Sequence, residues 1–547
     1  MPTAIKLLTA YRVAHHVFLI LAAIAIFDAR FVLAQQDGRP RTHPSEIEFR
    51  RQAVRRMVFD SGQTIPLSTL DPSKVVSFDL MHPELLQTKV KAKCSIDEGA
   101  LTVASADEVA ESVRWFGGFN PFATYEVTIG SFAGTGSSGL SFQDFENANS
   151  LSAEVMFADG MPVELTWRIV HDSIEVDQMR WEWPAEIDDF SKPFVLRVQM
   201  SAVGVNVFVE SEGRSHLVGY ADFSKHFDLR KQSRFTRFHS GISSRLQPQS
   251  HVKILAAAGV LSPGSGQADL RAITDEQGVP LIEDGRLWLT ITLRGRALPH
   301  PTQGVFSMNP SVFDLRFEGV IVFDMGDGLL RNELASHIFR DSQSGQWCGW
   351  TTGFSAFGND ADKEAKTILA VWSSTDPRRG FSVMKAKPVG IEGAHEDPHC
   401  IYDSEAKKWR LLLCEHGKKY QAAMWESDHW DHGFQRLAGP VDVDSTGTLI
   451  QKFGDIRYAL FGSADRKIYV RSYPDLQPVG ELKMDLPPWN DDHGTRVWPN
   501  VIPMPDGYPA PFIALMMDRA NFPGMPKPNW TYGAIYLYHG YPIHYDD

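Results

Sequence analysis

The densest chemistry in the chain lies in Gly393-Ala394-His395-Glu396-Asp397-Pro398-His399-Cys400-Ile401-Tyr402-Asp403. A carboxyl donates a proton and a carboxylate accepts one, so paired acidic groups suit general acid–base work. Glu396 and Asp397 are adjacent, and neighbours on a regular strand point to opposite faces. Both serve one site only where the strand start is irregular. Asp before Pro is also a common turn cap, which is the plain structural alternative for Asp397. A second dense run is Asp491-Asp492-His493-Gly494-Thr495-Arg496-Val497-Trp498-Pro499-Asn500, which joins acid, imidazole, guanidinium, indole and amide. His493 is equally a loop histidine satisfied by a carboxylate, and Trp498 equally a core residue. Trp347 and Trp350 bracket Cys348-Gly349 and read as rim or core. His395, and Arg519 in Met517-Asp518-Arg519, are further polar candidates, with surface ion pairing as the alternative. The cysteines are Cys94, Cys348, Cys400 and Cys414. Their spacing suggests no zinc site. Cys400 and Cys414 fall on neighbouring predicted strands, where they either pair or stay as buried thiols.

The elements that must position these groups are strands. From 73 to 257 short alternating runs recur, such as TYEVTI at 124–129, LSAEVMF at 151–157, ELTWRIV at 164–170 and FVLRVQM at 194–200. Alternation at this spacing predicts an antiparallel sandwich. From 258 the rhythm changes to aromatic-rich strands marked by Trp288, Ile368, Trp409, Tyr458 and Ile513. After a longer first interval the markers recur at roughly 40–55 residues, the length of one four-stranded blade each. Five markers predict five blades over 258–547, with an insertion between the first two. The segment GAIYLYH at 533–539 would close the ring by pairing with the first blade, removing an exposed edge. The polar stretch 35–72 reads as a linker with a short helix.

The chain has 547 residues, 43% hydrophobic and 22% charged. Those are globular values. With 54 Lys plus Arg against 67 Asp plus Glu, the net charge of −13 argues against a nucleic-acid partner. The high aromatic, Gly and Pro content favours an all-β protein. At the start, Lys6 and Arg12 precede the apolar run VFLILAAIAIF at 17–27, and small or modest residues precede Gln35. This is the pattern of a signal peptide over 1–34, with an uncleaved N-terminal membrane anchor as the alternative. The expectation is a secreted or periplasmic protein with no membrane partner after cleavage.

The 73–257 segment resembles concanavalin-like jelly-roll domains, found in lectins and in accessory modules of carbohydrate enzymes. The segment from roughly 270 to 547 resembles the five-bladed propeller glycosidases of glycoside hydrolase families 43 and 32. Asp397-Pro398, Asp403 in a turn and Trp409 on the return strand carry that likeness. It implies a carbohydrate substrate and hydrolysis of glycosidic bonds by carboxylates in a funnel. It implies Asp275 as base or nucleophile, Asp397 as the orienting carboxylate and Glu396 as a provisional acid. His395, Trp350, Arg496, Trp498, Asn500 and Arg519 would bind substrate, since aromatic faces stack on sugar C–H surfaces and Arg and Asn bond hydroxyls. His493 stands near where relatives place a channel histidine beside a bound calcium or water; calcium is not required by any motif, and no organic cofactor is implied. The pattern departs at Ser445-Thr446-Gly447, where relatives carry the acid as Glu-Gly. Threonine cannot be a general acid near neutral pH. The alternative is therefore a non-catalytic carbohydrate-binding protein. Sugar, linkage, stereochemistry and oligomeric state are not readable from the residues.

Overall fold

Alternating side chains build the first half of the molecule. The strand Ser150–Ala158 buries Leu151, Ala153, Val155 and Phe157 on one face, and its neighbour Met161–His171 buries Leu165, Trp167 and Ile169. Each such side chain contributes about 1.5–3 kcal/mol when fully buried. The computed structural model describes residues 43–74, 86–90, 92–146, 148–294, 301–354, 366–488, 497–518 and 533–543. The expected signal peptide at 1–34 lies outside them. Among the described residues no helix is long and apolar enough to cross a membrane.

Two antiparallel sheets of seven and eight strands pack into a sandwich. The seven-stranded sheet is centred on Gly136–Asp144 and Phe238–Leu246. The eight-stranded sheet is centred on Thr124–Ala133 and His251–Leu261. The last of these strands carries the sandwich past residue 257.

Five antiparallel sheets follow. The first runs Gly266–Ala272, Arg286–Arg294, Thr302–Met308, Arg316–Asp324. The second runs Leu334–Arg340, Trp347–Gly353, Thr367–Ser373, Gly380–Pro388, and its outer strand pairs in parallel with that of the first. The third starts at His395–Asp403 and the fourth at Thr446–Phe453. The fifth holds Val501–Pro503, Phe512–Met517 and Ile535–Pro542. The starting strands lie side by side in chain order, and Gly266–Ala272 also lies against Phe512–Met517 of the fifth sheet.

Several expectations change. Residues 35–72 are not a linker where described: Ile47–Arg55 is the fourth strand of the fifth sheet, and Ile65–Leu70 pairs with His251–Leu261. The short helix expected there is replaced by single 3-10 turns. The strand containing 535–539 pairs with this N-terminal strand rather than with the first sheet. The reason is burial: Ile47 and Phe49 insert into the core shared by the fourth and fifth sheets. Ile368 sits on the third strand of its sheet, whereas Trp288, Trp409, Tyr458 and Ile513 sit on second strands. That shift lengthens the first marker interval. None of the four cysteines forms a disulfide; Cys414 faces Glu396 across the ladder while Cys400 faces Leu411.

Candidate functional site

The first four starting strands share one irregularity. Each ladder skips two residues: after Ala268, after Leu334, after Glu396 and after Thr446. Each skip begins with a residue at positive φ: Asp269 at 53°, Ala335 at 54°, Asp397 at 60° and Gly447 at 63°. A bulge re-aims the bulged side chain and bends the strand. Glycine is the default occupant of this conformation, and the fourth strand uses it. A Cβ at Gly447 would approach the Trp498 ring to 2.8 Å. The first and third strands instead hold aspartates in a costly conformation, the kind of strain that clusters at functional sites.

The irregularity answers how adjacent carboxyls reach one region. Asp397 Oδ2 accepts the Gly447 N–H at 2.9 Å, and Cys414 Sγ stands 3.9 Å from the same oxygen. The Asp397 N–H donates to Thr352 Oγ1 at 3.0 Å, and its carbonyl accepts from Thr448 Oγ1. Burial, reinforced by the repelling charges of Glu396 and Asp269, pushes the Asp397 carboxyl up to about 7. Glu396 is engaged otherwise, in an ion pair with Lys366 Nζ at 3.0 Å. That ammonium lies 4.9 Å from the centre of the Phe354 ring. The buried Glu333 accepts the Phe354 N–H and adds a further carboxylate at this edge. Thr446 is buried, and its hydroxyl donates to the Val497 carbonyl at 3.4 Å.

Two residues past the first three bulges come Arg271, His337 and His399, all buried. The imidazoles stack at 4.1 Å with planes 10° apart. Cys400 N–H donates to His337 Nδ1 and Ile450 N–H to His399 Nδ1, which puts each ring proton on Nε2. Burial, then the nearby Arg271 charge, lowers His337 to about 3; burial, His337 and Arg271 lower His399 well below its usual value. Both are neutral packing groups.

The other expected residues scatter. Asp275 caps a turn, its carboxylate accepting from Gln277 N–H at 2.9 Å and Val279 N–H at 2.8 Å. The next residue's carbonyl accepts from Tyr402 N–H, so this turn lies at the far end of the strand that opens with His395. The structure thus sets Asp275 apart from Asp397 and puts Asp269 beside it. Trp350 is fully buried among His337, Phe339, Trp409 and Trp430, with Nε1 donating to the Trp430 carbonyl, and offers no rim surface. His395 is buried at the start of the third sheet, its Nδ1 3.1 Å from the Gly393 carbonyl oxygen, and burial lowers its pKa. Trp498 packs at the bulge and donates from Nε1 to the Leu270 carbonyl at 2.7 Å. Asn500 is buried, with Nδ2 lacking a hydrogen-bond partner among the described residues. His493, Arg496 and Arg519 lie outside the described residues. Among the described residues no cluster of three or more His, Cys, Asp or Glu is placed to hold a metal ion.

The aspartate overlooked in the sequence is Asp269. Ala268-Asp269-Leu270-Arg271 aligns with Glu396-Asp397-Pro398-His399 only once the ladders show both as starting strands.

No protein-family model matches the chain, and no curated protein matches it. Solved structures that resemble parts of it include the catalytic domain of a laminarinase from Thermotoga petrophila. That pair shows 10% identity over 36% of this chain and 98% of the other, with a TM-score of 0.28. The laminarinase catalytic domain of Thermotoga maritima is similar at 9% identity over 37% and 99%, TM-score 0.28. A carbohydrate-binding module of Bacillus subtilis is similar at 15% identity over 31% and 94%, TM-score 0.23.

Proposed function

We propose that the five sheets are the blades of a closed propeller, and that their bulged ends form the site of an exported glycoside hydrolase-like enzyme. Its substrate is a poly- or oligosaccharide. One observation carries the reading: Asp269 and Asp397 occupy the same strained bulge position on the first and third starting strands, within one electrostatic cluster. Glycoside cleavage needs two carboxyl groups, one to protonate the leaving oxygen and one to activate water or attack the sugar carbon. Asp397 keeps its proton to about pH 7 and donates it to the departing glycosidic oxygen as the C–O bond breaks. Asp269 acts on the sugar carbon, either by taking a proton from the attacking water or by bonding to the carbon directly. This reading gives the acid role to Asp397 instead of Glu396, which Lys366 holds in an ion pair.

The test is reducing-sugar release from a panel of plant and algal polysaccharides. Asp269→Asn and Asp397→Asn are expected to lose about 100-fold or more in kcat while folding normally, and Asp275→Asn to keep wild-type activity. Full activity in Asp397→Asn would overturn the assignment.

A second reading is carbohydrate binding without cleavage. Thr446 favours it, as does a patch on the outer face of the sandwich. There Trp115 stacks on His239 at 4.6 Å beside the half-exposed Phe145. No release from any polysaccharide, with retention on a polysaccharide gel, would select this reading.

A further inference from the structure

Arg271 is a cation where an apolar residue would pack more cheaply. It lies on the starting strand Gly266–Ala272 with no solvent exposure. Its guanidinium carbon sits 4.5 Å over the Trp498 ring, and Nη2 is 3.4 Å from the Asp397 carbonyl oxygen. Nε and Nη1 are buried without hydrogen-bond partners among the described residues. Trp498 is itself fixed, by its bond to the Leu270 carbonyl on one side and by the bare Cα of Gly447 on the other. The guanidinium therefore has one place to be, and that place is behind the backbone step from Asp397 to Pro398.

The groups facing it come from several strands. Asp269 is on its own strand, Asp397 and His399 on the third starting strand, His337 on the second, and Cys414 on the strand beside Asp397. Burial keeps both imidazoles neutral and the Cys414 thiol protonated. The acidic groups that interact with Arg271 are then the two aspartates. Taking a guanidinium out of water is costly, and well-packed apolar groups commonly replace buried ion clusters without loss of stability. A purely structural wedge on Trp498 would not call for a charge.

We propose that Arg271 is a positioning residue: locked on Trp498, it holds the Asp397 backbone step in place and balances the charge of the Asp269–Asp397 pair. The inference rests on the hydrolase reading for its consequence in catalysis but not for its electrostatics. Two measurements separate the two. The first is the kinetics of Arg271→Met and Arg271→Lys on whichever polysaccharide the wild type cleaves. Arg271→Met is expected to lower kcat about 100-fold through misplacement of the reacting carboxyl, with KM within about twofold. The alkaline limb of its pH profile should move up by about one pH unit, because Asp397 loses a neighbouring positive charge. Arg271→Lys should restore the limb, by keeping the charge, but not kcat, by losing the planar stack. The second needs no activity: infrared titration of the protonated-carboxyl band that Asp397→Asn removes, in wild type and in Arg271→Lys and Arg271→Met. A raised midpoint in Arg271→Met supports the proposal even if no polysaccharide is cleaved. An unchanged midpoint, or a fall in melting temperature with kcat and pH limb unmoved, overturns it. Trp498→Phe, which keeps an aromatic face, is the variant to use if Arg271→Met fails to fold; it should lower kcat without moving the limb, and a full kcat would overturn the clamp.

Discussion

At the scale of single residues, the site is defined by aspartates placed where glycine would be easier. Asp269 and Asp397 hold φ values of 53° and 60°. Asp tolerates this region better than most residues, at a cost of order 1–3 kcal/mol. Burial then changes what the side chain can do. The Asp397 carboxyl, ordinarily near 3.8, is held to about 7. The folded protein thus binds a proton that the unfolded chain releases between those values, so this residue's contribution to stability falls as pH rises from about 4 to about 7. His337 acts in the opposite sense. It is lowered from 6.5 to about 3, so stability is lost as pH falls through that window. Asp397→Asn removes the first dependence and leaves the second. Its melting temperature relative to wild type should therefore be higher at pH 8 than at pH 4, by calorimetry; a constant difference across that range would show that Asp397 titrates normally. Asp397 was visible in the sequence as the acid before Pro398. Asp269 was not, because Ala268-Asp269-Leu270 lacks the proline that draws attention to such a step.

At the scale of elements, the repeated bulge decides which side chains meet. A regular strand would send Glu396 and Asp397 to opposite faces. The two skipped positions let Asp397 turn toward Gly447 while Glu396 pairs with Lys366. Such a bulge is hard to read from alternation, because its signature is one residue in the left-handed region rather than a change of composition. Gly447 is the bulge position that leaves no room for a side chain. A methyl group there would meet the Trp498 ring and force a strained φ of 63°. Gly447→Ala is expected to destabilise the protein by about 1–3 kcal/mol. The indole would also be displaced from Arg271. Chemical denaturation measures the first effect and quenching of the Trp498 environment, against Trp498→Phe as blank, the second. Unchanged stability would mean that the bulge is not held as described.

At the scale of the whole molecule, the N-terminal strand joins the start of the chain to its last described strand. Ile47–Arg55 runs antiparallel to Ile535–Pro542 across most of its length. Ile47 and Phe49 are buried in the core between the fourth and fifth sheets, and Arg56 pairs with the buried Asp518 at 2.8 Å. The two apolar side chains alone contribute about 1.5–3 kcal/mol each. Removing residues 43–56 should expose the strand Ile535–Pro542 as an unpaired edge and lower the melting temperature. Limited proteolysis should then cut first within the fifth sheet. Wild-type resistance in the truncated chain would show that this strand is dispensable.

The sequence by itself determined the all-β character, the change of rhythm between the sandwich and the later sheets, and the clustering of polar groups in the 393–403 segment. These rest on local quantities: alternation, turn residues and the clustering of acids beside proline. Tertiary structure alone decided that a stretch resembling a linker holds the strand paired with Ile535–Pro542, that Trp350 is core, that Asp275 serves a turn, and that Asp269 and Arg271 stand beside Asp397. The first and last of these depend on contacts between residues more than a hundred positions apart, such as Ile47–Arg55 with Ile535–Pro542 and Arg271 with Asp397. Nothing in the local pattern of either partner encodes such a pairing. It follows from where separate strands are brought together and from the burial that results.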